Sequence, residues 1–224
     1  MTNDALKVAV LGTGRMGQQV VQVINEAADC QVAGVWSRNT DTELVAVLAG
    51  ADVAIDFTLP EVTREIAGVA ATQRTPLVCG VTGLEPEAED AIADAARCIA
   101  LLHDRNMSPG IAVMSKLLAP VAAALGADFK SEIRETHHIH KKDAPSGTAI
   151  ALREALGDQL INIESCREGE VVGDHLVRFT SASESIEIAH HVSNRRVFAE
   201  GAVVAARWLA DQPPGLYRMA NIWP

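Results

Sequence analysis

The sequence predicts an α/β chain, with a larger domain on a mainly parallel sheet and a smaller α+β domain on a mixed sheet. Three observations carry that expectation. Through the first half of the chain, short β-branched apolar runs alternate with amphipathic stretches, the pattern of successive βαβ units. A glycine-rich turn directly follows the first of those runs. From Phe129 onward the periodicity drops to two, as expected of half-buried strands in a second sheet.

Taken in order, the expected strands of the first domain are Lys7–Leu11, Gln31–Trp36, Val53–Phe57, Pro76–Val81 and Ile99–Leu102. Between the first two lies Gly12-Thr13-Gly14-Arg15-Met16-Gly17, a GxGxxG turn that leads into a helix with Met16, Val20, Val23, Ile24 and Ala27 on one face. Strand, glycine turn and helix in this order are what a Rossmann dinucleotide fold requires. The first glycine permits a tight turn, the second lets backbone approach a pyrophosphate, and the third lets helix and strand pack closely. The helix N-terminus then offers amide N–H groups and the positive end of a dipole to phosphate. At the end of the second strand, where a carboxylate would select NAD, the chain reads Trp36-Ser37-Arg38-Asn39. The missing carboxylate and the guanidinium of Arg38 favour the 2′-phosphate of NADPH, although a solvated surface arginine fits the same position.

Ser108-Pro109 reads as an N-cap followed by proline at the first helical position, opening a helix through Ile111, Met114 and Leu118 that Pro120 is expected to kink. Phe129, Ser131, Ile133, Glu135 and His137 then alternate with Lys130, Glu132, Arg134, Thr136 and His138. In a regular strand His137 faces away from His138 and His140, which disfavours a metal site built from all three, and no metal is expected. The segment from Glu135 to Thr148 concentrates His137, His138, His140, Lys141 and Lys142 in an otherwise acidic chain. A histidine titrates near neutrality and a lysine can protonate a developing anion, so this cluster suits acid–base work. Pro145-Ser146-Gly147-Thr148 reads as a loop entering a helix, whose first amides can hold a carboxylate; a charged loop with an ordinary Ser or Thr cap is the plain alternative.

Asp174–Ala182 and Glu184–Val192 are expected to form a hairpin, making the second sheet partly antiparallel. Arg195 and Arg196, just beyond it, are candidates for a second carboxylate or are simply exposed. A last helix over about 197–210 precedes the breaker Pro213-Pro214-Gly215.

Across its 224 residues the formal net charge is −10 and hydrophobic residues make up 48%, which argues against disorder and against a nucleic-acid partner. The apolar stretches are too short or too interrupted to span a bilayer, and Met1–Lys7 has no basic-then-apolar leader pattern, so no membrane contact and a cytoplasmic location are expected. Cys30, Cys79, Cys98 and Cys166 stand far apart without a CxxC pair and are read as reduced packing residues.

Gly12-Thr-Gly-Arg-Met-Gly17, Asp56-Phe-Thr58, Gly80-Val-Thr-Gly83, Asn106-Met-Ser108, the segment ending Lys-Lys-Asp-Ala-Pro-Ser-Gly-Thr148, and Glu187-Ile-Ala-His190 with Phe198-Ala-Glu-Gly-Ala202 lie nearly end to end along the chain. By these residues the chain resembles the 4-hydroxy-tetrahydrodipicolinate reductase family, also called dihydrodipicolinate reductase. The resemblance implies NAD(P)H-dependent reduction of a cyclic small-molecule dicarboxylate, with loss of water, in diaminopimelate and lysine biosynthesis, with NADPH and NADH as candidate cofactors. It implies His137 as proton donor or acceptor and Lys141 as proton donor, with substrate held by His138, Ser146, Gly147 and Thr148. Cofactor contacts would fall on Gly12, Thr13, Gly14, Arg15, Met16, Ser37, Arg38, Gly80, Val81, Thr82, Asp104, Arg105, Asn106 and Met107. It further implies a Rossmann domain over 1–108 and 197–224, a substrate-binding and tetramerisation domain over 109–196, and a homotetramer. The chain departs from the family pattern in a glycine loop one residue shorter, a trimmed stretch between Trp36 and Val53, Ser37 where an acidic residue is common, and Asp104-Arg105 before Asn106. Two other readings fit the glycine turn: a different two-domain nicotinamide oxidoreductase such as an amino-acid dehydrogenase, and a nucleotide-sensing protein without turnover.

Overall fold

The computed structural model describes residues 5–157 and 161–223; residues 1–4, part of the start read above for a leader, lie outside the described residues. The chain divides into two compact units, Met1–Ser108 with Phe198–Pro224, and Pro109–Val197.

The first unit is a six-stranded sheet in the order β10-β5-β4-β3-β1-β2, parallel throughout. Its strands are β1 (Leu6–Leu11), β2 (Cys30–Trp36), β3 (Val53–Asp56), β4 (Leu77–Cys79), β5 (Ala100–His103) and β10 (Gly215–Tyr217). All of β3, β4 and β5 are buried, as continuous apolar runs should be in a parallel sheet covered on both faces. The covering helices are α1 (Arg15–Glu26), α2 (Leu44–Ala49), α3 (Pro60–Gln73), α4 (Pro86–Ala95) and α7 (Arg196–Leu209), of which α7 begins at the junction of the units. α3 and α4 each open with proline at the first turn, where its fixed φ and missing N–H cost nothing. Leu11, Leu48, Ile66, Leu77 and Leu101 are fully buried in one cluster, each stabilising the fold by roughly 1.5–3 kcal/mol.

Two glycines explain the tight start of α1. Gly12 has φ +109°, and a Cβ there would lie 2.7 Å from the Phe57 carbonyl oxygen. A Cβ on Gly17 would lie 1.8 Å from the Gly12 carbonyl oxygen, so only glycine lets α1 close onto β1.

The second unit has the order β7-β6-β8-β9, with β6 (Lys130–His137), β7 (Ile163–Arg167), β8 (Gly173–Thr180) and β9 (Ser185–Val192). β6 and β7 are parallel; the β6–β8 and β8–β9 pairs are antiparallel. Two helices, α5 (Pro109–Leu125) and α6 (Gly147–Ala155), contribute Ile111, Met114, Leu118, Ala149 and Leu152 to a core with Ile133, Val177 and Phe179. α5 runs as one helix through Pro120.

Register divides one face of this sheet into rows. Ile163, Ile133, Val177 and Ile188 align across the four strands; the next row on the same face is Ser165, Glu135, His175 and His190; beyond it stand Arg167 and His137, with Gly173 beside them. The face thus turns from apolar to polar in one step of two residues, because side chains on one face recur at that period.

Four expectations need correction. β6 ends at His137 and a turn follows, so the argument that placed His138 and His140 on the opposite strand face does not apply to them. β7 was not anticipated, since Ile-Glu-Ser-Cys-Arg carries no clean alternation. The segment read as a breaker leads at Gly215 into the edge strand β10, which pairs with β5. Cys98 is exposed rather than packed, whereas Cys30 and Cys79 are buried.

Candidate functional site

In the first unit the sheet order reverses between β1 and β3, and ligands of open α/β sheets bind at such switch points, beyond the carboxyl ends of the strands. A cleft lies there. Gly12, Thr13 and Gly14 line it from the end of β1, Trp36, Ser37, Arg38 and Asn39 from the end of β2, and Phe57, Thr58 and Leu59 from the end of β3. Gly14 is the N-cap of α1 and supplies no side-chain cap; a Cβ at Gly14 would meet nothing within 4 Å, so the first turn faces open space. The α1 amides and dipole therefore suit an anion at this end. Arg38 is exposed at the cleft, and no carboxylate lies among the cleft-lining residues.

The far wall is tied down by Asp56, which accepts hydrogen bonds from the Thr58 backbone amide at 2.8 Å and the Thr58 hydroxyl at 2.7 Å. Asp56 is fully buried, and burial pushes its carboxyl up to about 6 against those two donors. Burial pushes the neighbouring Cys79 thiol up as well. In the sequence Asp56 stands out only within the Asp56-Phe-Thr58 match and Cys79 only as a packing residue; neither is marked there as a group whose titration burial shifts.

The remaining predicted cofactor residues lie at the start of α1 and on adjoining loops rather than in the cleft lining. Arg15 is exposed and Met16 half-buried at the start of α1. Gly80, Val81 and Thr82 follow β4, and Asp104, Arg105, Asn106 and Met107 follow β5. His103 joins these two loops, its Nε2 lying 3.2 Å from the Val81 carbonyl oxygen; burial holds its imidazole below the ordinary value. Asp104 accepts from the Met219 amide at 3.0 Å, which ties the β5 loop to the chain's tail.

In the second unit the Glu135–Thr148 segment is drawn together around a buried carboxylate. Glu135 is fully buried; one of its oxygens accepts from Arg167 Nη1 at 3.0 Å and from the Ser146 amide at 3.3 Å, and the other meets His137 Nδ1. Burial pushes the Glu135 carboxyl up, but the Ser165 hydroxyl, His137 and Arg167 together hold it below its usual value, so it is a carboxylate. Burial lowers His137, Glu135 raises it, and the charges of Lys141 and Arg167 lower it again, leaving it below the ordinary histidine value. The His137 ring packs edge-on against His175 at 5.2 Å. His175 is buried, neither of its nitrogens has a hydrogen-bond partner among the described residues, and burial together with the facing His137 and His190 pushes it down to about 3.

Lys141 Nζ lies 2.8 Å from the Asp143 carboxylate, which the Gly147 backbone amide at the start of α6 also supports. Ser146 caps α6, its hydroxyl accepting from the Ala149 amide at 3.2 Å. Both polar groups of Ser146 are thus engaged within the chain, while Gly147 and Thr148 form the first turn and are only half-buried. Arg195 Nη2 donates to His138 Nε2 at 3.0 Å, which brings the arginine pair's first member to the histidine cluster; Arg196 lies at the start of α7. The structure therefore gathers His137, His138, Lys141 and the α6 N-terminus in one unit, and adds Glu135, Arg167 and His175, none of which the sequence marked for this role.

The class these features define is a Rossmann-type α/β protein with a second unit in which a histidine–lysine cluster lies beside a helix start. The dihydrodipicolinate reductase N-terminus family model matches residues 6–107 and the C-terminus model residues 110–223. A 4-hydroxy-tetrahydrodipicolinate reductase of Xanthomonas euvesicatoria pv. vesicatoria is 40% identical over 99% of this chain and 99% of its own length. One of Halorhodospira halophila is 34% identical over 97% of this chain and 98% of its own length. In fold, the chain is similar to a dipicolinate-bound dihydrodipicolinate reductase from Paenisporosarcina sp. TG-14, with a TM-score of 0.84, 21% identity, and coverage of 97% and 99% of the two chains. This chain belongs to the dihydrodipicolinate reductase family. Among the described residues no helix is long and apolar enough to cross a membrane.

Proposed function

We propose that the chain reduces 4-hydroxy-tetrahydrodipicolinate to tetrahydrodipicolinate, in the route to diaminopimelate and lysine, with NADPH as the preferred nicotinamide cofactor and NADH as the second. The reaction adds a hydride and a proton and releases the hydroxyl as water. Family membership supports this reading, and so does the second unit's chemistry. The observation that carries it is the Asp143 carboxylate held by the Lys141 ammonium and the Gly147 amide, with the Lys141 charge acting on His137. A place that attracts one carboxylate from within the chain suits a carboxylate of the substrate, because helix-start amides and an ammonium act on any such group alike.

The nicotinamide, when bound, supplies the hydride. The chain's contribution is binding and proton transfer. The amides of Gly12–Met16 at the α1 start suit pyrophosphate, Ser37 and Arg38 suit the 2′-phosphate, and the loops holding Gly80, Val81, Thr82, Asp104, Arg105, Asn106 and Met107 suit the nicotinamide end. In the second unit Gly147 and Thr148 hold one carboxylate and His138, held by Arg195, assists, while Ser146 acts through the cap it gives α6. Loss of the hydroxyl with a neighbouring ring hydrogen, as water, opens a double bond conjugated with the ring C=N; Lys141 donates the proton to the carbanion formed when hydride adds to that double bond, and His137 exchanges a proton with the substrate or with water. Lysine suits the first task, since an ammonium both attracts a developing anion and can neutralise it. We further propose a cytoplasmic homotetramer, with the domain over 109–196 serving substrate binding and assembly.

The test is loss of reduced-nicotinamide absorbance on adding fresh substrate to NADPH and protein, with a His137→Gln variant in parallel. Rapid loss with the parent chain and slow loss with the variant are expected. Cofactor binding without turnover by the parent chain would favour a nucleotide sensor, and turnover of an amino acid instead would favour a dehydrogenase.

A further inference from the structure

We infer that Glu135 and Arg167 are positioning residues for the proton-transfer groups: Glu135 fixes the tautomer of His137, and Arg167 locks that pair to the loop carrying Lys141. The inference deepens the reading of His137 and Lys141 given above and rests on it.

The chemistry of Glu135 dictates the tautomer. An ionised carboxylate only accepts, so the His137 Nδ1 that meets it must carry the hydrogen. A neutral imidazole has one N–H, which leaves Nε2 as the basic nitrogen, and in the imidazolium it is Nε2 that releases the proton. Gly173 keeps that nitrogen uncrowded, since a Cβ there would stand 3.1 Å from Nε2. Four charged or titratable groups face the ring: Glu135 from its own strand, Lys141 from the following loop, Arg167 from β7 and His175 from β8. Only Glu135 among them favours the charged ring.

One guanidinium connects this pair to the lysine. Arg167 Nη1 holds Glu135 Oε1 at 3.0 Å, Nε donates to the Lys141 carbonyl oxygen at 3.3 Å, and Nη2 donates to the Asp143 carbonyl oxygen. The planar fork thus spans the carboxylate and two carbonyls of the Lys141 loop, a geometry that a lysine at 167 could reproduce only in part. The register that aligns Arg167 with His137 across β6 and β7 brings them there.

The experiment has a readout independent of turnover. Nitrogen NMR of the histidine-labelled parent chain near neutral pH is expected to show His137 protonated on Nδ1; a ring protonated on Nε2 alone would overturn the assignment without any variant. In Glu135→Gln the Nδ1 preference should be lost, the kcat of the reductase should fall about a hundredfold with KM changing less than about threefold, and the limb of the pH profile belonging to His137 should move to lower pH. Arg167→Met should lower kcat and raise KM together, and Arg167→Lys should recover part of both. An unchanged tautomer and an unmoved limb in Glu135→Gln overturn the inference even if activity falls, because that result marks a merely structural carboxylate. His137→Gln separates the two levels: full activity in that variant refutes the role of His137 itself, while the NMR result still decides what Glu135 does to the ring.

Discussion

Replacing Asp56 with asparagine should stabilise the first unit, increasingly so as the pH rises. The amide oxygen of asparagine can keep both bonds from Thr58, while the charge that burial disfavours is removed. Asp56 titrates at about 6 in the folded chain against an ordinary 3.8. Between those values the folded state binds a proton that the unfolded state has lost, so stability falls as the pH rises and levels off above the folded value. The full difference corresponds to roughly 3 kcal/mol, of which about 1.4 kcal/mol develops between about pH 5 and about pH 8. Urea denaturation followed by tryptophan fluorescence suits the measurement, because Trp36, Trp208 and Trp223 all belong to the first unit. Titrations shared by parent and variant cancel in the difference between them. The stability gap in favour of Asp56→Asn should therefore widen by about 1.4 kcal/mol from about pH 5 to about pH 8. A gap that stays constant, or that turns against the variant at high pH, would refute the claim that this carboxyl is ionised at a cost.

Lys141→Ala should lower kcat by about a hundredfold or more while leaving NADPH affinity, measured by fluorescence titration, nearly unchanged; equal losses in both would deny it a role in proton transfer. Arg38→Ala should weaken NADPH about tenfold or more and NADH hardly at all, and an unaltered ratio of the two dissociation constants would mark Arg38 as a plain surface charge. Gly17→Ala places a Cβ 1.8 Å from the Gly12 carbonyl oxygen, so α1 must shift; stability should drop by roughly 1–3 kcal/mol with loss of dinucleotide binding, and a variant that melts and binds like the parent contradicts the packing account.

The elements legible in the sequence are those whose signal is local. Gly12 and Gly17 announced the turn and α1 because the positive φ of the first and the close approach of the second to the Gly12 carbonyl are demands set within a few residues, and Ser146-Gly147 announced α6 through its cap. Strands β1, β3, β4 and β5 stood out as apolar runs because a parallel sheet buries both faces of its inner strands, and the edge strand β2 through its spacing after the glycine turn. What escaped depends on register or on a single neighbour. β10 has three residues and pairs with one strand. Arg167 sits in a strand without alternation, and nothing local indicates that it aligns with His137. His175 becomes a neighbour of that histidine only once the antiparallel register of β6 and β8 is known. Glu135 was visible as a residue on the same side of β6 as His137, but its other partners come from β7 and from the loop before α6. The sequence therefore named the histidine and the lysine, and folding supplied the groups that orient them.

The most direct test of the central claim is to follow deuterium from NADPH labelled at the transferring C4 position into the ring product by mass spectrometry. One deuterium per tetrahydrodipicolinate formed, appearing about a hundredfold or more slowly in Lys141→Ala, is the predicted result. Unlabelled product, or labelled cofactor that stays bound and unconsumed in the presence of substrate, would contradict it.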